Sequence, residues 1–138
     1  MAHTFAELDG YFWQVARTPE ESSPDSALDS IFMMHEDDWA LLRHALRDRP
    51  PAWRAECAYI LGHGPFEECL PMLLELLFDP DLNVASEAGS SYSAQVLEHQ
   101  PRVPPDPEAV LRLGVIVNEN KGHHVSEIQE LLRYWALP

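Results

Sequence analysis

Pro71-Met72-Leu73-Leu74-Glu75-Leu76-Leu77-Phe78-Asp79-Pro80-Asp81-Leu82-Asn83-Val84 runs from a leucine-rich stretch through an acidic, proline-centred turn into a second apolar pattern. Apolar residues at three- and four-residue steps predict a helix from Pro65 to Phe78. The Asp79-Pro80-Asp81 turn ends it, because a proline disfavours helix in the residue before it. A further helix is expected over residues 82–99. Shifting the chain against itself by 31 residues repeats this pattern. Trp39 then falls on Leu70, Leu42 on Leu73, Leu46 on Leu77 and Asp48 on Asp79. In the next helix Trp53 falls on Val84, Cys57 on Ala88, Ala58 on Gly89 and Leu61 on Tyr92. Each unit reads as a helix, a tight turn and a second helix whose inner positions include small residues. Small residues let packed helices approach closely.

The same reading extends along the rest of the chain. Phe5, Leu8, Phe12, Val15 and Ala16 predict an amphipathic helix over 4–17. A proline-rich polar loop follows, and Asp25 or Ser26 is expected to cap a short helix carrying Leu28, Ile31 and Phe32. Trp39 to Leu46 marks a helix that must end near Asp48, ahead of Pro50 and Pro51. The next starts at Pro51, a favoured first-turn residue, and stops at Gly62-His63-Gly64. After the prolines of 101–107, two last helices are expected over about 107–119 and 124–136. No strand alternation appears. The expectation is an all-α chain of about seven helices in one domain over 1–138. Residues 1–35 supply N-terminal helices, 36–99 two repeats and 105–138 a divergent C-terminal hairpin.

Trp53-Arg54-Ala55-Glu56-Cys57-Ala58-Tyr59-Ile60-Leu61-Gly62 resembles the second helix of a HEAT-like repeat, and residues 71–84 resemble the first helix and turn of the next. The resemblance covers about residues 38–98. It departs from the pattern at Ala85, where the family often has Arg, and after residue 100. It implies a short α-solenoid of stacked helical hairpins, commonly with a protein-binding surface, and no single activity.

The composition narrows the partners. The 138 residues hold nine Lys plus Arg against 23 Asp plus Glu, a formal charge of −14. Residues 1–38 carry −8, 39–64 carry +2, 65–108 carry −8, and 109–138 are neutral. Binding to a phosphate backbone or an anionic membrane needs clustered cations, so neither DNA, RNA nor membrane is an expected partner. The start of the chain has no basic, apolar leader pattern, so a cytoplasmic protein is expected. Cys57 and Cys69 lie in helix-like apolar stretches and read as buried free thiols.

The search for chemistry returns little. One enzyme class of this repeat type binds a di-iron centre through several His-Glu pairs, and this chain has the single pair His35-Glu36. Adjacent His123-His124 point apart on a helix and read as a surface or capping pair. His63 sits at a helix end, where a cation complements the dipole. Ser86, Ser90, Ser91 and Ser93 lie in one helix without a nucleophile elbow and read as helix-contact residues. No glycine-rich phosphate loop occurs. No catalytic residue, metal ligand or cofactor is therefore expected, and the chain does not read as an enzyme.

An acidic surface remains. Glu36, Asp37 and Asp38 cluster at one helix start, and Glu67 and Glu68 at another. Along the second helices of the repeats, Arg54, Glu56, Tyr59, Glu87, Ser90 and Ser91 fall outside the apolar stripe. Tyr11, Phe12 and Trp13 sit among acids as either inward packing or interface anchors. The expected partner-binding residues are Glu36, Asp37, Asp38, Glu56, Tyr59, Glu67, Glu68 and Glu87. A small, acidic, all-helical HEAT-like chain is similar to the immunity proteins of bacterial polymorphic or contact-delivered toxins. That resemblance implies a cognate protein toxin with a basic surface, such as a nucleic-acid-targeting effector, neutralised by direct contact. A scaffold or adaptor without a toxin is the alternative; a metal-dependent hydroxylase or helical-repeat lyase ranks third.

Overall fold

The computed structural model describes residues 3–100, 102–120 and 125–136. Among them lie eight α-helices and no strand: α1 (His3–Arg17), α2 (Asp25–Ser30), α3 (Glu36–Ala45), α4 (Pro51–Leu61), α5 (Phe66–Leu77), α6 (Leu82–Glu98), α7 (Pro107–Glu119) and α8 (Ser126–Ala136). The short helix expected after the proline-rich loop is present at 25–30, and the described helices number eight against the expected about seven. Its cap differs from expectation: Pro24 occupies that position, and Asp25 is the first helical residue. A 3-10 turn follows at Ile31–Met33. Its faster rotation per residue separates Ile31, fully buried, from Phe32, which is 62% exposed.

The helix ends follow from local chemistry. Proline opens α4 and α7 at their first position, where the missing N–H costs nothing. Asp81 caps α6 by accepting from the Val84 N–H at 3.1 Å. Asp106 caps α7 by accepting from Glu108 and Ala109. Two C-terminal ends are finished from far along the chain. The Gln95 side-chain amide on α6 donates to the Leu61 and Gly64 carbonyls beyond α4, at 3.2 and 3.0 Å. The Arg112 guanidinium on α7 donates to the Leu77 and Asp79 carbonyls beyond α5, at 2.8 and 3.0 Å. Both supply donors to carbonyls that a helix leaves without intrahelical partners.

Helix α6 lies at the centre and packs closely on α4, α5 and α8. Its buried residues occupy more than one face, from Val84 and Ala85 to Tyr92 and Val96, as a surrounded helix requires. Helix α1 packs on α4, while the closest helix partner of α3 is α1. The 31-residue register carries over to burial: Leu42 with Leu73, Leu46 with Leu77, Trp53 with Val84, and Cys57 with Ala88 are all buried. It does not carry over to pairing. Helices α5 and α6 form a close hairpin, whereas α3 turns to α1 and leaves α4 to pack on α1 and α6.

The small residues act between neighbouring second helices. A Cβ at Gly62 would lie 2.4 Å from Ser91 Oγ, and one at Gly89 would lie 2.8 Å from Ile128 Cδ1. Gly62 therefore sets the α4–α6 approach and Gly89 the α6–α8 approach. Gly62 has φ −65° and ψ −17°, so space and not backbone freedom demands a glycine there.

Buried charge is matched. Arg54 and Asp79 form a two-pronged pair, with Nε–Oδ2 at 2.8 Å and Nη2–Oδ1 at 3.0 Å, and side chains 14% and 9% exposed. Arg54 also donates to the Arg49 carbonyl. Arg54, expected on the solvent face, is thus an interior strut between the end of α5 and the start of α4.

Candidate functional site

The close approach at Gly62 and Ser91 lies at the bottom of a groove of about 470 Å³. Tyr59, Gly62 and His63 line it from the end of α4, Glu87, Ser90, Ser91 and Ala94 from α6, and Ser126 and Glu127 from the first turn of α8. It continues in both directions. Glu87 and Ser90 are shared with a hollow of about 220 Å³ that Ala55, Asn83, Ser86 and Asn120 complete. Gly62 and His63 are shared with a hollow of about 380 Å³ whose walls include Phe32, Phe66, Glu98 and His99. Among the described residues no Lys or Arg lines any of the three, while Glu87, Glu98 and Glu127 do. The described walls of the track thus combine carboxylates with aromatic rings and hydroxyls.

Local contacts shape these walls. The Tyr59 ring meets His63 edge-on at 5.0 Å. Phe66 stacks on His99 at 4.0 Å, and His99 Nδ1 lies 2.8 Å from the Gln95 carbonyl. On the Phe66 ring sits Arg102, 4.9 Å from its centroid, which pairs with Glu67. The Asn120 amide donates to Ser86 Oγ at 2.7 Å. A separate cavity of about 520 Å³ lies between α5 and the proline-rich 103–107 segment, and its walls are largely apolar.

The eight expected binding residues fall in separate places. Tyr59 and Glu87 come together in the groove. Glu36 and Asp37 are exposed in the first turn of α3, and Glu67 and Glu68 in the first turn of α5. Glu56 is half-buried and accepts the Tyr11 hydroxyl at 2.8 Å. Asp38 is fully buried and belongs to no exposed surface. Its carboxylate accepts from the Phe5 N–H at 2.9 Å and the His35 N–H at 3.0 Å. Burial pushes its pKa up, but the His35 and Phe5 N–H groups outweigh that and hold it below the usual carboxylate range.

The aromatic run in α1 packs inward. Phe12 is fully buried edge-on to Trp53 at 4.9 Å, and Trp13 is half-buried with Arg17 over its ring. Tyr11 titrates well above its ordinary range, through burial first and then its bond to Glu56. Cys57 and Cys69 are free and buried, and burial pushes both thiols up, so neither is a ready nucleophile. Among the described residues no three His, Cys, Asp or Glu side chains are placed to share a metal ion. His35 starts α3, and His123-His124 lie outside the described residues. No helix among the described residues is long and apolar enough to cross a membrane.

Comparison with family models, curated proteins and solved structures finds no match. The groove therefore stands on its own chemistry. Sequence reasoning missed its α8 wall, Ser126 and Glu127, because the 31-residue register ends before α8. It also read His63 only as a helix-end cation. The one local signal was the small, polar Gly89-Ser90-Ser91 segment.

Proposed function

We propose that this chain is an immunity-type binding protein of the bacterial cytoplasm that neutralises a basic protein toxin by direct contact. In this reading α5 and α6 are a HEAT-like hairpin against which the other helices stack, and the α4–α6–α8 face meets the partner. The observation that carries the proposal is the sorting of charge. Arg49, Arg54 and Arg112 are engaged inside the fold, with Asp9, Asp79 and the end of α5, while Glu98 and Glu127 line an open track whose described walls hold no Lys or Arg. Such a surface attracts a basic protein, repels nucleic acid, and accelerates association with an opposite-sign partner.

The test is co-purification from the native cell at low and high salt, followed by expression of the captured protein alone and with this chain. One basic, stoichiometric partner that arrests growth alone, and is harmless in co-expression, is the expected result. Charge reversal of Glu87 and Glu127 to Lys is expected to weaken capture and flatten its salt dependence. Several weak, harmless partners would overturn the neutraliser reading in favour of a scaffold.

A further inference from the structure

We infer that the cavity between α5 and the 103–107 segment is a binding site for an apolar amine, a small molecule that joins an aromatic or hydrocarbon body to one ammonium group. Leu70 and Leu74 of α5, with Val103 and Pro105, form apolar walls around about 520 Å³, and Tyr92 and Asp106 add the polar groups. Apolar clefts of about 300–1,000 Å³ with a few convergent polar groups are the usual form of a small-molecule site. This cavity shares no described lining residue with the α4–α6–α8 groove and stands apart from the neutraliser reading.

The polar groups set the chemistry of the ligand. Tyr92 is only 3% exposed, yet among the described residues its hydroxyl has no hydrogen-bond partner. Its ring meets Trp135 edge-on at 6.5 Å, which fixes its direction. A hydroxyl so enclosed gains from a partner brought by a ligand. Asp106 uses one carboxylate oxygen to cap α7: Oδ1 accepts from the Glu108 and Ala109 N–H groups at 3.0 and 3.2 Å. Its Oδ2 accepts from no described residue. Burial first, and then the Asp106 charge, pushes the Tyr92 hydroxyl up, so it stays neutral and able to accept. The positive end of α7 would disfavour a cation here, but Asp106 and Glu108 carry two negative charges against about half a unit of dipole. An ammonium donating to Asp106 Oδ2 and Tyr92 Oη satisfies both groups, while its apolar body covers the leucines and prolines. A carboxylate ligand would meet like charge, and a plain hydrocarbon would leave the hydroxyl unpaired.

The test titrates the full chain with three probes of similar size, phenethylamine, phenylethanol and phenylpropanoate, followed by calorimetry and amide chemical shifts. Phenethylamine is expected to bind with a Kd of about 1 mM or tighter, and about tenfold tighter than phenylethanol, the size of one charge-assisted bond. Phenylpropanoate is expected to bind weakest. The shifts are expected at Leu74, Tyr92, Val103 and Asp106, and not at Gly62, Ser90 or Ser126 in the groove. Asp106→Asn keeps a good helix cap and is expected to erase the preference for phenethylamine while leaving phenylethanol affinity unchanged. Tyr92→Phe keeps the ring and is expected to weaken both ligands by about threefold to tenfold. Helical content is expected to match wild type in both variants. Equal affinity for the amine and the acid, or an amine preference that survives Asp106→Asn, would overturn the assignment. So would shifts spread over the acidic surface, or no saturable shift at about 10 mM phenethylamine.

Discussion

Where α4 meets α6, a glycine leaves room for the facing serine side chain; where α1 meets α3 and α4, carboxylates bridge the gap. The first contact rests on Gly62 against Ser91. The second rests on three acceptors: Asp38 for the Phe5 N–H at 2.9 Å, Asp9 for the Trp53 indole N–H at 3.0 Å, and Glu56 for the Tyr11 hydroxyl at 2.8 Å. The difference divides the acid content of the chain by role. Part of the negative charge in the first half is structural and points inward, so net charge alone overstates what a partner meets there. The groove acids Glu87 and Glu127 stand instead on a scaffold held by shape.

Three substitutions probe that division. The largest effect is expected from Asp79→Ala, which strands the enclosed Arg54 charge and should cost about 3–5 kcal/mol in denaturant unfolding. Replacing both partners, Arg54→Met with Asp79→Leu, should recover most of that loss, since a matched apolar pair leaves no charge behind. Gly62→Ala should cost about 1–3 kcal/mol through overpacking against Ser91. In a Ser91→Gly background the same change should cost clearly less, and an unchanged cost would break the shape account of the α4–α6 contact.

Asp38→Ala is expected to be the mildest, at about 1 kcal/mol, the worth of a helix cap. Its effect has a pH signature. The folded-state pKa lies below the unfolded value, so the contribution is complete above about pH 4 and is lost as pH falls through the folded value. The stability gap between wild type and Asp38→Ala should therefore close in acid. A gap that stays constant down to low pH would detach Asp38 from the α1 latch.

The helices were largely legible because their signals are local. Pro50-Pro51, Gly62-His63-Gly64 and Asp79-Pro80-Asp81 mark boundaries within a few residues of where the chain turns. The partners of those helices were not legible, because similarity at a 31-residue shift reports likeness between segments and carries no distance between them. So Arg54 read as a surface residue although Asp79 holds it, and Asp38 read as an exposed cap although Phe5 covers it. Half of the groove was visible in Tyr59 and Glu87. The other half depends on α8 lying beside α6, which Gly89 against Ile128 and the Tyr92–Trp135 ring contact record.

The donors that finish α4 and α5 also bear on how the chain is made. Gln95 stands 34 residues after Leu61, and Arg112 stands 35 after Leu77. On a ribosome, α4 leaves the exit tunnel with its Leu61 carbonyl held by the Gly64 N–H alone, and gains a second donor when Gln95 of α6 has followed it out; the Leu77 carbonyl of α5 waits for Arg112 of α7. A nascent chain stalled before residue 95 therefore lacks the Gln95 bond that ties the end of α4 to α6.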